Sequence, residues 1–166
     1  MAPVIYELVS VEQLRPSSRR GVVLLRSDGD ADIDAAATFG GPSSKKQREL
    51  RDRFDTWIEH APGQHNDLWF HGFTNTEAYR DCFVFKWREK EAGHRLYGFI
   101  CHPQPNTNKR FQLCVLTNHG EKPRAKWQTD LSELDIANRT RANRHVLAVI
   151  SMNFPDQASG TKQWTS

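Results

Sequence analysis

The sequence predicts an α+β fold, in which a small twisted antiparallel sheet is flanked by helices. Three runs rich in aromatic and aliphatic residues, at 82–88, 94–101 and 111–116, are separated by polar segments that carry Gly or Pro. This pattern is typical of an antiparallel meander. Helical patterns stand on either side, at 44–60 and from Asp130 onward. We therefore expect the sheet to be built around these three strands.

The helix over 44–60 is indicated by one apolar stripe opposite a charged face. Leu50, Phe54, Trp57 and Ile58 recur at helical spacing, and Ala61-Pro62-Gly63 follows as a stop signal.

The second helix has a possible start signal. Asp130 precedes Glu133 by three residues, which is the spacing of a capping box.

The first 43 residues form an N-terminal extension in this interpretation. The compact apolar run 21–26 indicates a buried strand, whereas 4–14 fits either a strand or a short helical turn. Residues 28–44 are rich in Asp, Ala, Gly and Ser, so we expect a loop or linker there. The predicted organisation is an extension over 1–43, an α+β domain over 44–152 and a tail over 153–166.

The cysteines indicate a reducing compartment. The chain has three, Cys82, Cys101 and Cys114, with no CxxC spacing, and all fall in predicted strands. Free cysteine in a strand behaves as a small buried apolar residue. The chain also lacks an apolar run of membrane-spanning length and a signal segment. We expect a soluble cytoplasmic protein with reduced core thiols.

Basic charge is concentrated in the second half of the chain. Between Lys86 and His145 there are twelve Lys and Arg against six Asp and Glu, whereas the remainder has eleven basic and fourteen acidic residues. Such an excess favours RNA or DNA as a partner, because neutralised phosphates release counterions. A solvated charged face explains the same excess equally well.

An aromatic cluster lies at 69–73. Trp69, Phe70 and Phe73 are able to stack on unpaired bases, or to form core and cover a sheet edge; we favour the structural role. The adjacent His71 is interpreted as a hydrogen-bonded structural group.

The order of segments resembles the second half of the RelE/ParE/HigB superfamily of small bacterial toxins, specifically its HigB-like, phage-derived branch. The resemblance covers about sixty of the 166 residues. It rests on a strand ending in basic residues (85–88), a strand with Arg and Tyr (94–97), a third strand (113–116), a basic loop (122–126) and a helix (133–139).

The resemblance implies a ribosome-dependent mRNA endoribonuclease, the toxin of a type II toxin–antitoxin pair. A ribose 2′-oxygen would attack the adjacent phosphate without metal or other cofactor. The implied partners are messenger RNA on the ribosome and an antitoxin protein, in a complex that can hold more than one toxin copy, with no membrane.

The resemblance also implies the site residues. Arg95 corresponds to the family's strand arginine and is expected to clamp phosphate, Lys122 corresponds to a loop lysine, and His119 is the expected proton-transfer group. Further RNA-phosphate contacts are expected from Lys86, Arg88, Arg124 and Lys126. A solvated surface charge is the alternative for each.

Two positions differ from the family pattern, because Lys86 stands where a glutamate is frequent and Glu121 where a loop lysine is expected. The alternative functions are a non-enzymatic nucleic-acid- or protein-binding module and a gyrase-inhibiting ParE-type toxin. No metal site is expected, since the seven histidines show no ligand spacing. No nucleotide cofactor is expected, since the chain has neither a P-loop nor GxGxxG.

Overall fold

Six strands form one mixed sheet in the order β1-β2-β6-β5-β4-β3. The computed structural model describes residues 3–11, 19–40, 44–59, 69–74, 76–89, 92–123 and 131–156. The strands are β1 (Ile5–Ser10), β2 (Arg20–Asp28), β3 (Phe70–Gly72), β4 (Cys82–Glu89), β5 (Ala92–Cys101) and β6 (Gln112–Pro123). The helices are α1 (Ala35–Phe39), α2 (Ser44–Glu59), α3 (Leu131–Arg141) and α4 (Arg144–Asn153), and a 3-10 turn spans Glu77–Tyr79.

The predicted α+β class and the meander β4-β5-β6 are confirmed, because all three of these strands pair antiparallel and in sequence order. The expectation of a wholly antiparallel sheet is wrong in one respect. Strand β2 pairs with β6 in parallel, with Arg20 opposite Gln112 and Leu24 opposite Leu116. A parallel pair requires a crossover connection, and the helices α1 and α2 lie within the connection between β2 and β6.

The N-terminal region belongs to the sheet. Strand β1 forms an antiparallel pair with β2, which settles the strand alternative for 5–10. The expected linker over 28–44 is also corrected, because it contains α1 and buries Ile33, Ala35 and Phe39. Those side chains are sufficient to anchor a short helix that composition alone did not indicate.

Helices cover both faces of the sheet. We call the side packed by α1 and α2 the α2 face; its core includes Leu24, Phe54, Trp57, Phe85, Trp87, Leu96 and Leu116. We call the side packed by α3 and α4 the α3 face; its core includes Val23, Val84, Tyr97, Phe99, Val115, Leu134 and Val146. Alternate strand residues therefore serve opposite helical layers.

Arginine side chains attach α2 to the sheet. Arg20 donates to the Trp57 carbonyl near the C-terminal end of α2 at 2.8 Å and lies over the Trp57 ring. Arg53 donates to the Lys86 carbonyl and lies over the Trp69 ring. These contacts give hydrogen-bond partners to two partly buried backbone carbonyl oxygens.

The other helical layer is fixed by caps and polar bridges. Asn143 caps α4 by accepting from the His145 and Val146 amides. Arg139 of α3 pairs with Asp30 and Asp32 after β2. The start of the predicted tail also packs, because Asp156 accepts from the Asn106 and Thr107 amides at 2.8–3.2 Å.

All three cysteines are free thiols, and Cys82 and Cys114 are buried as predicted. Burial raises the pKa of Cys82 to about 11 and that of Cys101 to about 12. None of the helices in the described part of the chain is both long and apolar enough to cross a membrane.

A β-bulge interrupts the β5-β6 pairing. Tyr97 lies opposite Asn118 and Gly98 opposite Leu116, so Thr117 is the extra residue. The Thr117 hydroxyl shares its one hydrogen between the Tyr97 carbonyl at 3.1 Å and Asn118 Oδ1 at 2.6 Å, and the Thr117 carbonyl accepts from the Asp34 amide at 3.1 Å. The Thr117 carbonyl, which the bulge removes from the ladder, is thus paired.

Gly98 is required beside this bulge. A Cβ there would lie 2.8 Å from the Leu116 Cα and closer still to the Val115 carbonyl oxygen, both of them backbone atoms that cannot rotate away. We expect Gly98→Ala to lower the free energy of unfolding by about 2–3 kcal/mol, measured by urea denaturation.

Gly72→Ala is the matched control, since the nearest atom to its Cβ would be 3.6 Å away. That variant is expected to change stability by no more than about 0.5 kcal/mol. Equal stability of the two variants would contradict the close approach of β5 and β6.

Candidate nucleic-acid interface

Two cross-strand rows at one end of the meander bring basic residues together. Lys86 lies opposite Arg95, and Arg95 lies opposite Gly120. In the next row the central position is glycine: Arg88 lies opposite Gly93, and Gly93 lies opposite Lys122. We call these two sets, Lys86-Arg95-Gly120 and Arg88-Gly93-Lys122, the basic rows.

The basic rows belong to the α3 face. Val84 and Tyr97 pack against Leu134 and Ala137 of α3, whereas Trp87 packs on the opposite side of the sheet. Because strand side chains alternate, Lys86 and Arg88 share the side of Val84. Three of the seven predicted site residues, Lys86, Arg88 and Arg95, therefore share one face, and Lys122 is known by its register position opposite Gly93.

The side chains of the basic rows differ in exposure. Arg88 is exposed and Lys86 is half-buried, whereas Arg95 is only 9% exposed. An incoming phosphate would therefore meet Arg88 and Lys86 before Arg95. The expectation that Arg95 is the primary clamp is not favoured by this burial.

Arg95 has an acidic neighbour from α3. The Glu133 carboxylate lies over Gly120, so close that a Cβ on this glycine would be 2.7 Å from Oε1. Arg95 is the strand partner of Gly120. Glycine at this position thus allows a carboxylate to approach the sheet beside a guanidinium.

Tyr97 lies within the influence of both charges. Burial raises the pKa of Tyr97 to about 12; Arg95 acts to lower this pKa and Glu133 to raise it. At neutral pH the tyrosine is a phenol and not a phenolate. The cluster consequently consists of a cation, a carboxylate and a neutral hydroxyl beneath α3.

Asn118 fixes the first turn of α3 to the sheet. Its side-chain amide donates to the Glu133 carbonyl at 2.9 Å, and its Oδ1 accepts from the Thr117 hydroxyl at 2.6 Å. The position of the Glu133 carboxylate therefore depends on the bulge in β6. The predicted capping role of Asp130 lies outside the described residues.

His119 lies on the other side of the sheet. Its ring packs against Trp87 and His94, with ring centroids 5.8 and 5.1 Å away. His119 and Arg95, which we expected to serve one site, therefore lie on opposite faces of the sheet. Without the bulge at Thr117, regular alternation from Leu113 and Val115 would place residue 119 on the α3 face.

The burial of His119 has a direct chemical consequence. Burial and the neighbouring His94 lower the pKa of His119, and these outweigh the opposing influence of Asp34 and Glu121. The imidazole is accordingly neutral near pH 7.

The remaining predicted contacts fall at or beyond the end of β6. Lys122 occupies its register position opposite Gly93. Arg124 and Lys126 lie outside the described residues.

The aromatic cluster has the structural role that we favoured. Phe70 is buried in the α2-face core, and Trp69 packs against the same core beneath Arg53. Phe73 packs beside Tyr79 against the α3-face cluster. His71 packs edge-on against Phe73, with ring centroids 4.9 Å apart.

Three features of this region were not predicted from the sequence. The positions of Gly93 and Gly120 in the basic rows depend on register, and the approach of Glu133 depends on the docking of α3. The contact between His94 and His119 depends on the bulge. A register-based alignment of the three strands would have found the glycines but not the face of residue 119.

No group of three or more potential ligands able to hold a metal ion occurs among the described residues. Comparison of the chain with family models, curated proteins and solved structures found no match. The class that the structure defines is an α+β protein with a mixed sheet between two helical layers.

The burial of Arg95 beside Glu133 can be tested by comparing two arginines. Arg95→Ala is expected to lower the free energy of unfolding by about 2–3 kcal/mol, because the Glu133 carboxylate loses its cationic neighbour. The exposed Arg88→Ala is expected to cost less than about 0.5 kcal/mol. Urea denaturation measures both, and indistinguishable midpoints would mean that Arg95 has no structural role.

Proposed function

We propose that this protein binds RNA through the basic rows, and that it does so in the cytoplasm on messenger RNA at the ribosome, the setting implied by the resemblance. The observation that carries the proposal is the register of β4, β5 and β6. It aligns Lys86, Arg88, Arg95 and Lys122 in two adjacent rows.

The arrangement suits a phosphate backbone for electrostatic reasons. Clustered Lys and Arg attract a polyanion and release its counterions on binding. Gly93 stands between Arg88 and Lys122 without a side chain, so a sugar-phosphate chain can approach the sheet backbone there. Arg95 is buried, whereas Arg88 is exposed and Lys86 is half-buried, so we take Arg88 and Lys86 as the principal contacts.

Charge reversal tests this surface. In Lys86→Glu/Arg88→Glu, the affinity for a fluorescently labelled single-stranded oligouridylate should fall at least about tenfold at moderate salt. The slope of log K against log salt is negative, and its magnitude should fall by about 0.7 for each phosphate that the variant no longer neutralises. Fluorescence anisotropy at several salt concentrations gives both quantities.

Lys45→Glu/Arg48→Glu is the matched control, because both residues are exposed on α2, in the opposite helical layer, and the change in net charge is identical. Affinity within about threefold of the parent is expected for this control, since distant charges are screened. An equal loss in both double variants would show that binding follows net charge alone, and the proposed surface would be wrong.

A second candidate function is cleavage of the bound message, as in the toxins that the chain resembles. One observation favours it: the Glu133 carboxylate, a possible proton acceptor, lies on the same face as Arg95. His119 is not part of this proposal because it faces α2. An antitoxin partner would silence the protein by covering the basic rows.

Expression in a bacterial host separates the two candidates. Cleavage predicts growth arrest with codon-phased message ends, both abolished in Glu133→Gln, which keeps the side-chain shape and removes the charge. Arrest with intact messages and an induced DNA-damage response would instead indicate the gyrase-directed alternative. RNA binding without arrest or new message ends would leave the binding module and exclude cleavage.

A further inference from the structure

The α2 face carries a histidine pair that the proposed function does not use. His94 Nδ1 and His119 Nε2 are 2.9 Å apart and share a hydrogen bond. Their rings are nearly parallel, with an interplanar angle of 20°, and both contact the buried ring of Trp87. The pair thus joins β5 to β6 by a side-chain hydrogen bond near the open end of the hairpin, where β5 begins and β6 ends.

This bond depends on the number of protons that the pair holds. A neutral pair has one N–H donor facing one acceptor nitrogen, and a singly charged pair retains that arrangement. When both rings are imidazolium, each facing nitrogen carries a hydrogen and no acceptor remains. Two positive charges then face each other in a site that is partly removed from water.

The charged groups around the pair are few among the described residues. Asp34, beside α1, accepts from the His119 backbone amide at 2.7 Å, and Glu121 of β6 lies opposite His94. From α2, Arg53 reaches the Lys86 carbonyl next to Trp87, with Glu49 as its ion-pair partner. The strand β4 contributes Trp87, which is not titratable.

The indole of Trp87 adds no polar contact to the site. Its ring is 2% exposed, and Nε1 has no hydrogen-bond partner among the described residues. If the two histidines separated, no hydrogen bond from the Trp87 indole to the described residues would keep the three rings together.

We propose that the His94–His119 pair is a pH-sensitive latch, which keeps the end of the β5-β6 hairpin closed at neutral pH and lets it open under mildly acidic conditions. The closed pair holds at most one proton, whereas the open pair accepts two. The open form therefore gains population as the pH falls below about 6.5, the ordinary histidine value. Stability of this hairpin end is fully present above that pH and is lost below it.

The linkage also sets the size of the effect. For each proton that the open form binds in excess, the ratio of open to closed increases about tenfold per pH unit. The lowered pKa of His119 acts in the same direction, because burial and His94 both disfavour the charged form of His119 in the closed state. Asp34 and Glu121 act in the opposite direction and reduce the effect.

Opening of this hairpin end would also change the α3 face. Gly93 and Lys122 pair at the same hairpin end, so separating β5 from β6 would divide the row Arg88-Gly93-Lys122. Acid conditions would then weaken RNA binding, a consequence that rests on the proposed function. The latch itself does not depend on RNA.

Hydrogen exchange measured by mass spectrometry tests the latch on the full chain without RNA. We expect peptides that cover 92–96 and 118–123 to exchange about tenfold faster per pH unit between pH 6 and pH 5, after correction for the intrinsic pH dependence of amide exchange. A peptide that covers 22–25 of β2 should not change. In His94→Gln, which removes one titratable group and the charge that faces His119, the acid-dependent increase should become clearly smaller.

His145→Gln is the matched control, because His145 is exposed on α4 and is not part of the pair. It should keep the parent's acid response. His119→Gln provides a second test should His94→Gln fail to fold. The proposal is overturned if exchange at the hairpin end shows no acid response in the parent, or if the response is undiminished in both glutamine variants.

Discussion

The extra residue at Thr117 determines what each face of the sheet presents. Before Thr117, Leu113 and Val115 lie on the α3 face. After Thr117, Asn118 and Gly120 lie on the α3 face and His119 lies on the α2 face. The bulge is stabilised by the bonds of its own hydroxyl and carbonyl, so it is a fixed feature and not a defect in pairing. A one-residue change of register exchanges the faces of everything that follows.

On the α3 face, this register brings together charged residues that differ in burial. Arg95 is buried beside Glu133, and Gly120 gives the carboxylate its place. Removing one of two opposite charges in a partly buried site is costly, because the remaining charge is then less well compensated. Arg88, one row further out, is exposed. Burial therefore distinguishes a cation enclosed beside α3 from one that lies at the surface.

Local patterns in the sequence predicted the elements better than their arrangement. The helix 44–60 and the strands of the meander follow from periodicity and β-propensity, which are properties of neighbouring residues. Short α1 was missed because its anchors, Ile33, Ala35 and Phe39, are sparse. The parallel pairing of β2 with β6 was missed because no local signal specifies which distant strand completes a sheet.

The candidate site shows the same limit at the scale of one residue. The basic residues of β4 and β5 were selected by type and order, and the strand pairing places them side by side. His119 was selected by the same criteria, but its face depends on a bulge that an ordinary Thr-Asn sequence does not indicate. The two faces remain coupled nonetheless, because β6 carries Gly120 beneath Glu133 and His119 beside His94 on adjacent residues. A displacement of this backbone on one side necessarily moves the groups on the other.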